Sequence, residues 1–356
     1  MKTMKTTKNR MQLFFAAITL AVAAISVPAT ASGSVDPKTQ PIATASAKTD
    51  SLLTLKAKKS FSGLKRTDGN LYYYKNGIAQ SGWHKENGHI YYFAGYKSEA
   101  KRTAVSGLFS KDGKRFYFSE KNILQTGWQT IKGHTFYFKT SGKIGERGAA
   151  YTGVQKITGK YYAFRENGIL KTKTFSENGT TYYINNSVVE AYKTGTTYYK
   201  PNGTAMTTVE TEDYETLRRA RAVVAEVTNA SMDQNQKLLA CFQWVIHHPY
   251  AIHRTFKPTA DWPSIYANDH FVRGRGDCHA DGAAFAYLAR VLGYTNVYVC
   301  VDCDGIRAQG HSWTEIDGKA YDPLFAEARS FKDNYAAPYG VYRLRPVLKA
   351  QVAIGY

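Results

Sequence analysis

Cysteine is scarce in this 356-residue chain, which contains four cysteines and ten prolines. Four thiols cannot build a disulfide scaffold of this size, so the fold must depend on buried apolar cores. Acidic residues are also few, with 28 Asp and Glu against 47 Lys and Arg. Hydrophobic residues make up 43% of the chain, which excludes wholesale disorder. The length predicts two domains or one large one.

The positive charge is distributed unevenly along the chain. Residues 1–31 carry four basic and no acidic side chains, and residues 32–208 carry 27 basic and 11 acidic ones. Residues 209–356 carry 16 basic and 17 acidic side chains. The sequence therefore divides into a cationic region and a nearly neutral region.

The N-terminus has the pattern of an export signal. Four basic residues precede an uncharged apolar stretch over residues 11–27, and a small-x-small sequence follows at residues 29–31. We expect a signal peptide over residues 1–31, cleavage after Ala31 and secretion of the mature chain. The alternative is an uncleaved membrane anchor, because the stretch is at the lower limit for a span. Residues 32–60 are rich in Ser, Thr, Ala and Lys and predict a flexible linker.

Residues 61–207 contain an internal repeat. A glycine followed by a cluster of aromatic residues recurs seven times, at Gly69, Gly88, Gly113, Gly133, Gly159, Gly179 and Gly195. Among the first six of these glycines, every second one is separated by 44 to 46 residues. Turn residues between short aromatic segments predict β-hairpins, and a hairpin cannot bury its aromatic face alone. The expected architecture is a solenoid of stacked hairpins.

Two units of this region carry a further motif, Gly82-Trp83 and Gly127-Trp128, each followed by a turn and an aromatic strand. The motif resembles the choline-binding-like repeats that bind the cell wall in Gram-positive surface proteins. The resemblance implies that a tryptophan and aromatic residues of adjacent hairpins cage a quaternary ammonium group. The candidate ligand-binding residues are Trp83, Trp128, Tyr92 and Tyr137. Other units have leucine or valine at the tryptophan position, so choline and another wall or glycan ligand both stay open.

The cationic character of the repeats suggests a polyanionic partner. Nucleic acid is not expected, because the chain carries an export signal and no nucleic-acid-binding motif. Teichoic acid or a glycan of the cell wall is the expected partner. A solvated surface without a specific ligand is the alternative.

The neutral region, residues 210–356, begins with helical periodicity and contains a candidate nucleophile. Asp277 precedes an apolar helical stripe and is the expected N-cap, which puts Cys278 at the first helical position. A helix N-terminus stabilises a thiolate, and its backbone N–H groups can hold an oxyanion. The Asp277 carboxylate opposes this effect by raising the thiol pKa.

Two strands after this helix form a predicted hairpin around Asp317-Gly318. The start of one strand lies beside the end of the other, so His311 is expected next to Asp322. A histidine oriented by an aspartate and facing a cysteine is an arrangement for nucleophilic catalysis.

These three elements resemble the transglutaminase-like (papain-like) cysteine enzymes, and the resemblance implies an α+β domain. It assigns Cys278 as nucleophile, His311 as general base and Asp322 as its orienting residue, and it places Trp262 near the oxyanion or substrate. The implied reaction is attack on an amide of a protein or peptide to form a thioester, followed by acyl transfer or by hydrolysis as in a peptidase or amidase. The alternative is a non-catalytic surface protein or adhesin that recognises wall or host glycans.

The remaining cysteines suggest no further chemistry. Cys241 lies in an apolar helical pattern and is expected in the core. Cys300 and Cys303 form either a disulfide or two separate thiols. No metal site or cofactor is expected, and the mature protein is expected at the cell wall or cell surface without a membrane span.

Overall fold

The computed structural model describes residues 60–98, 101–305 and 310–352. The predicted signal peptide and nearly all of the predicted linker lie outside the described residues. Across the described ranges, no helix combines the length and the hydropathy that are needed to cross a bilayer.

The repeat region consists of short antiparallel strands. Hairpin strands pair in sequence order, and the last four form one sheet. The strands are β1 (Gly63–Thr67), β2 (Asn70–Lys75), β3 (Ile78–Ala79), β4 (Gly82–Glu86), β5 (His89–Phe93), β6 (Gly107–Lys111), β7 (Lys114–Phe118), β8 (Gly127–Ile131), β9 (His134–Phe138), β10 (Gly153–Ile157), β11 (Lys160–Phe164), β12 (Phe175–Glu177), β13 (Thr180–Asn185), β14 (Val188–Thr194) and β15 (Thr197–Tyr199). Each of the seven predicted turn glycines lies between two paired strands, so the series of hairpins is confirmed.

The turn residues explain why these segments fold as hairpins. In the β6–β7 turn, Asp112 and Gly113 have φ values of 50° and 70°. Two consecutive positive φ values are typical of a type I′ turn, whose twist matches that of the flanking strands. Five more of the seven repeat glycines have positive φ values at the glycine and at the residue before it, and so does the β2–β3 turn at Asn76-Gly77. Aspartate or asparagine, which tolerate this conformation, precede four of these six repeat glycines, and Lys132 and Thr158 precede the other two. The glycine is thus the shared residue that predicts the turn.

The repeat core is built by alternate residues of the second strand in each hairpin. Phe116 and Phe118 of β7 are at most 1% exposed, and so are Phe136 and Phe138 of β9. These rings pack between neighbouring hairpins, as in the cluster of Phe116 and Phe118 with Ile90 of β5. Burial by a neighbour is therefore what stabilises each hairpin.

The C-terminal region is a mixed α/β fold. Its elements are α1 (Thr208–Val227), α2 (Gln234–Ile246), α3 (Trp262–Arg273), α4 (Cys278–Val291), β16 (Val297–Val301), β17 (Ser312–Ile316), β18 (Lys319–Tyr321), α5 (Pro323–Ala328), α6 (Phe331–Asn334), β19 (Ala337–Pro338) and β20 (Leu348–Gln351). The five strands form one antiparallel sheet in the order β19-β18-β17-β16-β20. α4 packs against β16 and β17 and also contacts α1, α2 and α3.

The position of α4 explains its composition. Twelve of its residues, Cys278 to Ala289, are buried, and six of those twelve are alanine or glycine. Small side chains allow close approach on all sides of the helix. The first turn of α4 is therefore enclosed by protein, which places Cys278 in a region of low dielectric.

The last repeat sheet and α1 are joined by specific contacts. The Arg221 guanidinium donates two hydrogen bonds to the Glu190 carboxylate, at 2.7 and 3.1 Å. The Tyr198 hydroxyl donates to Glu215 at 2.5 Å, and Tyr214 of α1 is buried beside Tyr198. This sheet is thus in direct contact with the C-terminal region. The domain boundary between residues 207 and 210 stays a prediction.

Candidate functional site

The first turn of α4 holds Cys278 in a defined position. Asp277 is the N-cap, and its Oδ1 accepts hydrogen bonds from the backbone N–H groups of His279 and Ala280, at 3.0 and 3.1 Å. The cap leaves the N–H of Cys278 itself as the donor at the helix end that can serve a ligand. An oxyanion site gathers several donors. Because Asp277 occupies the N–H groups of His279 and Ala280, the helix end offers fewer donors than the sequence predicts.

The thiol of Cys278 is held in its neutral form. Cys278 is 7% exposed, and burial raises the pKa of its thiol to about 12. The negative charge of Asp277 adds to the rise in pKa, and a hydrogen bond from the Ser312 backbone opposes it. The helix N-terminus is therefore outweighed by burial and by the capping carboxylate.

His311 and Asp322 are brought together by the β17–β18 hairpin. His311 lies just before β17 and Asp322 just after β18, and Thr314 of β17 is paired with Tyr321 of β18. His311 Nε2 lies 2.7 Å from Asp322 Oδ2. The two residues thus lie beyond the strand ends rather than on the strands as expected. The His311 ring also stacks on Phe325, at 4.0 Å between centroids and an interplanar angle of 9°.

Asp322 is fixed by more than the histidine. It is fully buried, and its Oδ1 accepts a hydrogen bond from the Phe325 N–H at 3.0 Å. Its Oδ2 accepts a second hydrogen bond from the Tyr342 hydroxyl at 2.7 Å. Burial and the adjacent carboxylate raise the pKa of Tyr342, which keeps that hydroxyl a donor. These bonds hold the carboxylate in one orientation toward His311.

The two halves of the site meet where α4 approaches β17. Thr314 Oγ1 donates to the Gly282 carbonyl at 2.6 Å. A Cβ atom at Gly282 would lie 3.0 Å from Ser312 Oγ and 3.0 Å from the carbonyl carbon of Trp313. Any side chain at this position would push the Trp313 backbone away by a few tenths of an ångström, so glycine suits this close approach. It brings the turn that begins with Cys278 against the strand that follows His311.

A second histidine–aspartate pair joins α3 to the first turn of α4, and no sequence pattern predicts it. His270 Nε2 lies 2.6 Å from Asp281 Oδ1. Burial lowers the pKa of His270 to about 4 and raises the pKa of Asp281 well above its usual value. Among the described residues, the buried side-chain atoms without a hydrogen-bond partner are Tyr266 OH, His270 Nδ1, His279 Nε2 and Ser312 Oγ. Perturbed pKa values and unpaired polar atoms in one place are typical of functional sites.

Trp262 is the first residue of α3 and is 3% exposed. Its ring packs edge-on against Phe256 at 5.2 Å, and Phe256 in turn stacks on His279 at 4.3 Å. Trp262 also lines a pocket of about 370 Å³ together with Tyr266. Its expected role near the oxyanion or substrate stays a prediction.

The remaining cysteines of the described residues lie apart from one another. The ranges that the structure describes contain no group of three His, Cys, Asp or Glu residues arranged to hold a metal ion. Cys300 and Cys303 belong to different apolar clusters, and no disulfide joins them in the described part of the chain. Cys241 is buried in the apolar core, and burial raises its pKa to about 12.

The two tryptophans of the repeats occupy equivalent positions with different exposure. Trp83 contacts Tyr92 across its own hairpin and Phe116 of the next hairpin, each at 5.0 Å. A Cβ atom at Gly145 would lie 3.5 Å from Trp83 Nε1, so a loop covers this ring. Trp83 is accordingly half-buried.

Trp128 is more open. Its ring contacts Tyr137 at 5.0 Å within its hairpin and Tyr162 at 4.9 Å on the next hairpin. Trp128 is 41% exposed. Tyr162 was absent from the sequence prediction, although the two-hairpin period places it at the position that Phe116 occupies beside Trp83. Three aromatic rings around an accessible face can receive a cation or a sugar ring.

Comparison with known proteins bears on the repeats. Residues 81–95 and 126–144 match the family described as putative cell wall binding repeat. Both stretches include the Gly-Trp motif, and the chain therefore contains cell-wall-binding-type repeats. No curated protein matches the chain.

Solved structures similar to the chain include choline-binding proteins. CbpJ of Streptococcus pneumoniae is 23% identical over 41% of this chain and 48% of that one, with a TM-score of 0.33. Choline binding protein F of Streptococcus pneumoniae is 22% identical over 41% and 52%, with a TM-score of 0.32. The pneumococcal cell wall endolysin of phage Cp-1, complexed with choline, is 19% identical over 35% and 37%, with a TM-score of 0.26. The chain spans about half of the length of the first two structures.

Proposed function

We propose that this protein is a cell-wall-associated thiol enzyme that acts on amide bonds, with the repeats binding the wall. The observation that carries the catalytic part is the 2.7 Å contact between His311 and Asp322, beside the helix start that bears Cys278. A nucleophile, a base and an orienting carboxylate in this order resemble the transglutaminase-like cysteine enzymes. The fold comparisons given above support the repeats, and the catalytic part rests on the geometry of the site.

The contact with Asp322 supports an assignment of roles to the two nitrogens of His311. Because Asp322 Oδ2 accepts from Nε2, that nitrogen carries the proton and Nδ1 keeps its lone pair. Nδ1 is therefore the nitrogen that would take the Cys278 proton. With a thiol pKa of about 12, the proton leaves as the sulfur attacks rather than beforehand.

The reaction then proceeds in two halves. The Cys278 sulfur bonds to the carbonyl carbon of a carboxamide, and the oxygen takes up negative charge beside the Cys278 N–H. The C–N bond breaks as His311 returns the proton to the departing amine or ammonia, which leaves a thioester. Water then gives a carboxylic acid, whereas a primary amine gives a new amide. The same residues serve both outcomes.

Mass spectrometry of a glutamine-containing peptide library tests this proposal. The library is incubated with the chain and a primary amine, and Cys278→Ala provides the control. Deamidation, an amine adduct or cleavage that depends on Cys278 would support the proposal and would separate hydrolysis from transfer. Products that form equally with the Cys278→Ala variant, or with neither protein, would contradict it.

A specific observation favours a second candidate, a non-catalytic binding protein. The Cys278 thiol is buried and neutral, and its usual activation by a helix N-terminus is outweighed. In this case the C-terminal region would serve recognition, and the repeats would bind wall or host glycans. Binding to purified wall and to host glycans, compared side by side, distinguishes an adhesin from a wall-anchored enzyme.

For the repeats, we propose that Trp128 is the principal wall-ligand site and that Tyr137 and Tyr162 complete it. Its support is the combination of an open indole face with two phenol rings about 5 Å away. Several of the similar structures are choline-binding proteins, and a quaternary ammonium group suits an aromatic cage. Titration with choline, followed by tryptophan fluorescence in the chain and in Trp128→Ala, tests this assignment. An unchanged response in the variant would contradict it.

A further inference from the structure

The segment Pro249–His253 lies against the loop that precedes Cys278. The Gly276 N–H donates to the Pro249 carbonyl at 3.2 Å, and the Ala251 N–H donates to the Gly276 carbonyl at 2.7 Å. These two bonds make a parallel bridge between Tyr250 and Gly276. Gly276 is two residues before Cys278, so the bridge fixes the segment beside the nucleophile.

The bridge leaves the backbone groups of Tyr250 on the side of the segment that faces away from Gly276. In a parallel bridge the flanking residues, Pro249 and Ala251, direct their bonding groups toward Gly276, and the central residue directs its own groups to the opposite side. The N–H and C=O of Tyr250 therefore point away from Gly276. Among the described residues, none makes a hydrogen bond to either group. Unpaired groups of this kind are what an extended chain pairs with at a sheet edge.

The same segment exposes large apolar side chains. Tyr250 is 56% exposed and Ile252 is 70% exposed, and side chains two residues apart in an extended segment share one side. Burial raises the pKa of Tyr250, and the negative charges of Asp277 and of an ionised Cys278 add to the rise. The Tyr250 side chain is thus close to the reacting thiol while most of its surface is in solvent.

We propose that Tyr250–Ile252 is a docking edge on which the peptide carrying the reactive amide binds as an added β-strand. This inference rests on the proposed function and names its substrate class: an extended peptide with apolar residues near the amide. Main-chain hydrogen bonds to Tyr250 give affinity, and contacts with the Tyr250 and Ile252 side chains give preference for apolar neighbours. A lone small amide would lack both contributions.

Backbone N-methylation of the peptide tests the docking edge directly. The full chain carries the Cys278→Ala substitution, so that no reaction occurs during the binding measurement. Fluorescence anisotropy measures the binding of fluorescein-labelled hexapeptides that contain one glutamine flanked by leucine and valine. In a paired strand, only alternate residues direct their N–H toward the partner. We expect N-methylation at the paired position to raise Kd about tenfold and N-methylation of the adjacent residue to change it by less than about twofold. Equal effects at adjacent positions, or no binding, would overturn the proposal.

Protein variants give the matched control. Ile252→Ser should weaken binding of the same hexapeptide about fivefold, from loss of apolar contact. Val347→Ser, a substitution of another exposed side chain beside β20, should leave it unchanged. If the chain dimerises and the hexapeptide does not disrupt the dimer, a second copy of the chain occupies the Tyr250–Ile252 edge. That result would overturn the proposal. If the chain turns over amide substrates but N-methylation at adjacent peptide positions has equal effects on Kd, the docking edge is wrong and the proposed function is retained. If the effects on Kd alternate but no turnover is found, the proposed function is wrong and the docking edge is retained.

Discussion

The repeat region and the C-terminal region place their candidate functional residues in opposite environments. Trp128 of the repeats is 41% exposed, in a region with a large excess of basic side chains. In the C-terminal region Cys278 is 7% exposed and Asp322 is fully buried, and the charges there nearly cancel. A surface that binds a polymer needs accessible rings and charge, whereas a nucleophilic site needs few water molecules and fixed hydrogen bonds. This contrast in exposure and charge is what the proposed function requires, in which the repeats attach the chain and the C-terminal region carries the chemistry.

The pattern of perturbed pKa values follows the same division. Large shifts that involve a histidine, an aspartate and a cysteine occur together around α4, at His270, Asp281 and Cys278. In the repeats, the described groups with raised pKa values are mainly tyrosines, such as Tyr91 and Tyr192, where burial is the main cause. Burial is the first cause of these three C-terminal shifts, and the negative charge of Asp277 adds to the rise for Cys278 and for Asp281. Clustered shifts of this kind are more frequent at functional sites than elsewhere.

The largest expected effect is on Cys278. Cys278→Ala should reduce turnover of an amide substrate by more than about 1,000-fold, because no other group can form the thioester. Steady-state assays on the peptide found by mass spectrometry measure this loss. Cys303→Ser is the control and should retain activity. Turnover by Cys278→Ala within a factor of ten of the unmodified chain would remove the thiol from the mechanism.

Next in size is the difference between the base and its orienting residue. His311→Ala should reduce turnover by about 100- to 10,000-fold, because it removes the proton acceptor. Asp322→Asn should have a smaller effect on turnover, because the imidazole remains. It should also lower the free energy of unfolding by about 1–3 kcal/mol, since buried hydrogen bonds to Asp322 are lost. Activity assays and urea denaturation measure the two effects, and a more active His311→Ala than Asp322→Asn would reverse the assigned roles.

The proximity of His311 and Asp322 was predictable, because it depends on residues that are close together in the sequence. The Asp-Gly turn at residues 317–318 predicts the hairpin that pairs Thr314 with Tyr321, and the hairpin in turn predicts the proximity of His311 and Asp322. The seven repeat glycines likewise predict the hairpins, since each hairpin turn depends on adjacent residues. The fold of the C-terminal region as a whole was expected only through a resemblance.

Contacts between distant segments were not predictable. Tyr342 bonds to Asp322 from 20 residues away, and His270 meets Asp281 across two helices. No periodicity marks such pairs, because they depend on how α3 packs against α4. Burial of Cys278 also depends on packing, and so the sequence indicated an activated thiolate where the structure has a neutral thiol.

The pH dependence of thiol labelling distinguishes a neutral, buried Cys278 thiol from an activated Cys278 thiolate. A thiol with a pKa of about 12 is the neutral form at pH 7, and its thiolate fraction rises about tenfold for each pH unit below the pKa. Labelling of Cys278 with iodoacetamide, mapped by peptide mass spectrometry, should therefore accelerate about tenfold per unit from pH 7 to pH 10. A rate that levels off below pH 8 would mean a thiolate paired with protonated His311.

A smaller effect is expected from the two tryptophans, which test the repeats alone. Trp128→Ala should weaken wall binding about tenfold with little loss of stability, since its face is open. Trp83→Ala should lower the free energy of unfolding by up to about 3 kcal/mol, since the ring packs on Phe116 and Phe118. Sedimentation with purified walls and thermal unfolding measure the two quantities. Equal binding losses in both variants would mean that exposure does not distinguish the sites.

The smallest effect is expected from salt. Exposed charges are screened over about 8 Å at physiological ionic strength, so added salt should weaken wall binding of the full chain by a few fold. Aromatic contacts should leave a remainder that salt does not remove, and Trp128→Ala should reduce that remainder. Binding that salt abolishes completely would assign the attachment to charge alone.

The separation of attachment from chemistry is tested most directly by a crossed measurement on the full chain. Wall binding and turnover of a soluble peptide are both measured for Trp128→Ala, for Cys278→Ala and for the chain with both substitutions. We expect Trp128→Ala to weaken only wall binding, Cys278→Ala to abolish only turnover, and the double variant to show both losses unchanged in size. Loss of wall binding in Cys278→Ala, or loss of turnover in Trp128→Ala, would contradict the separation of the two regions.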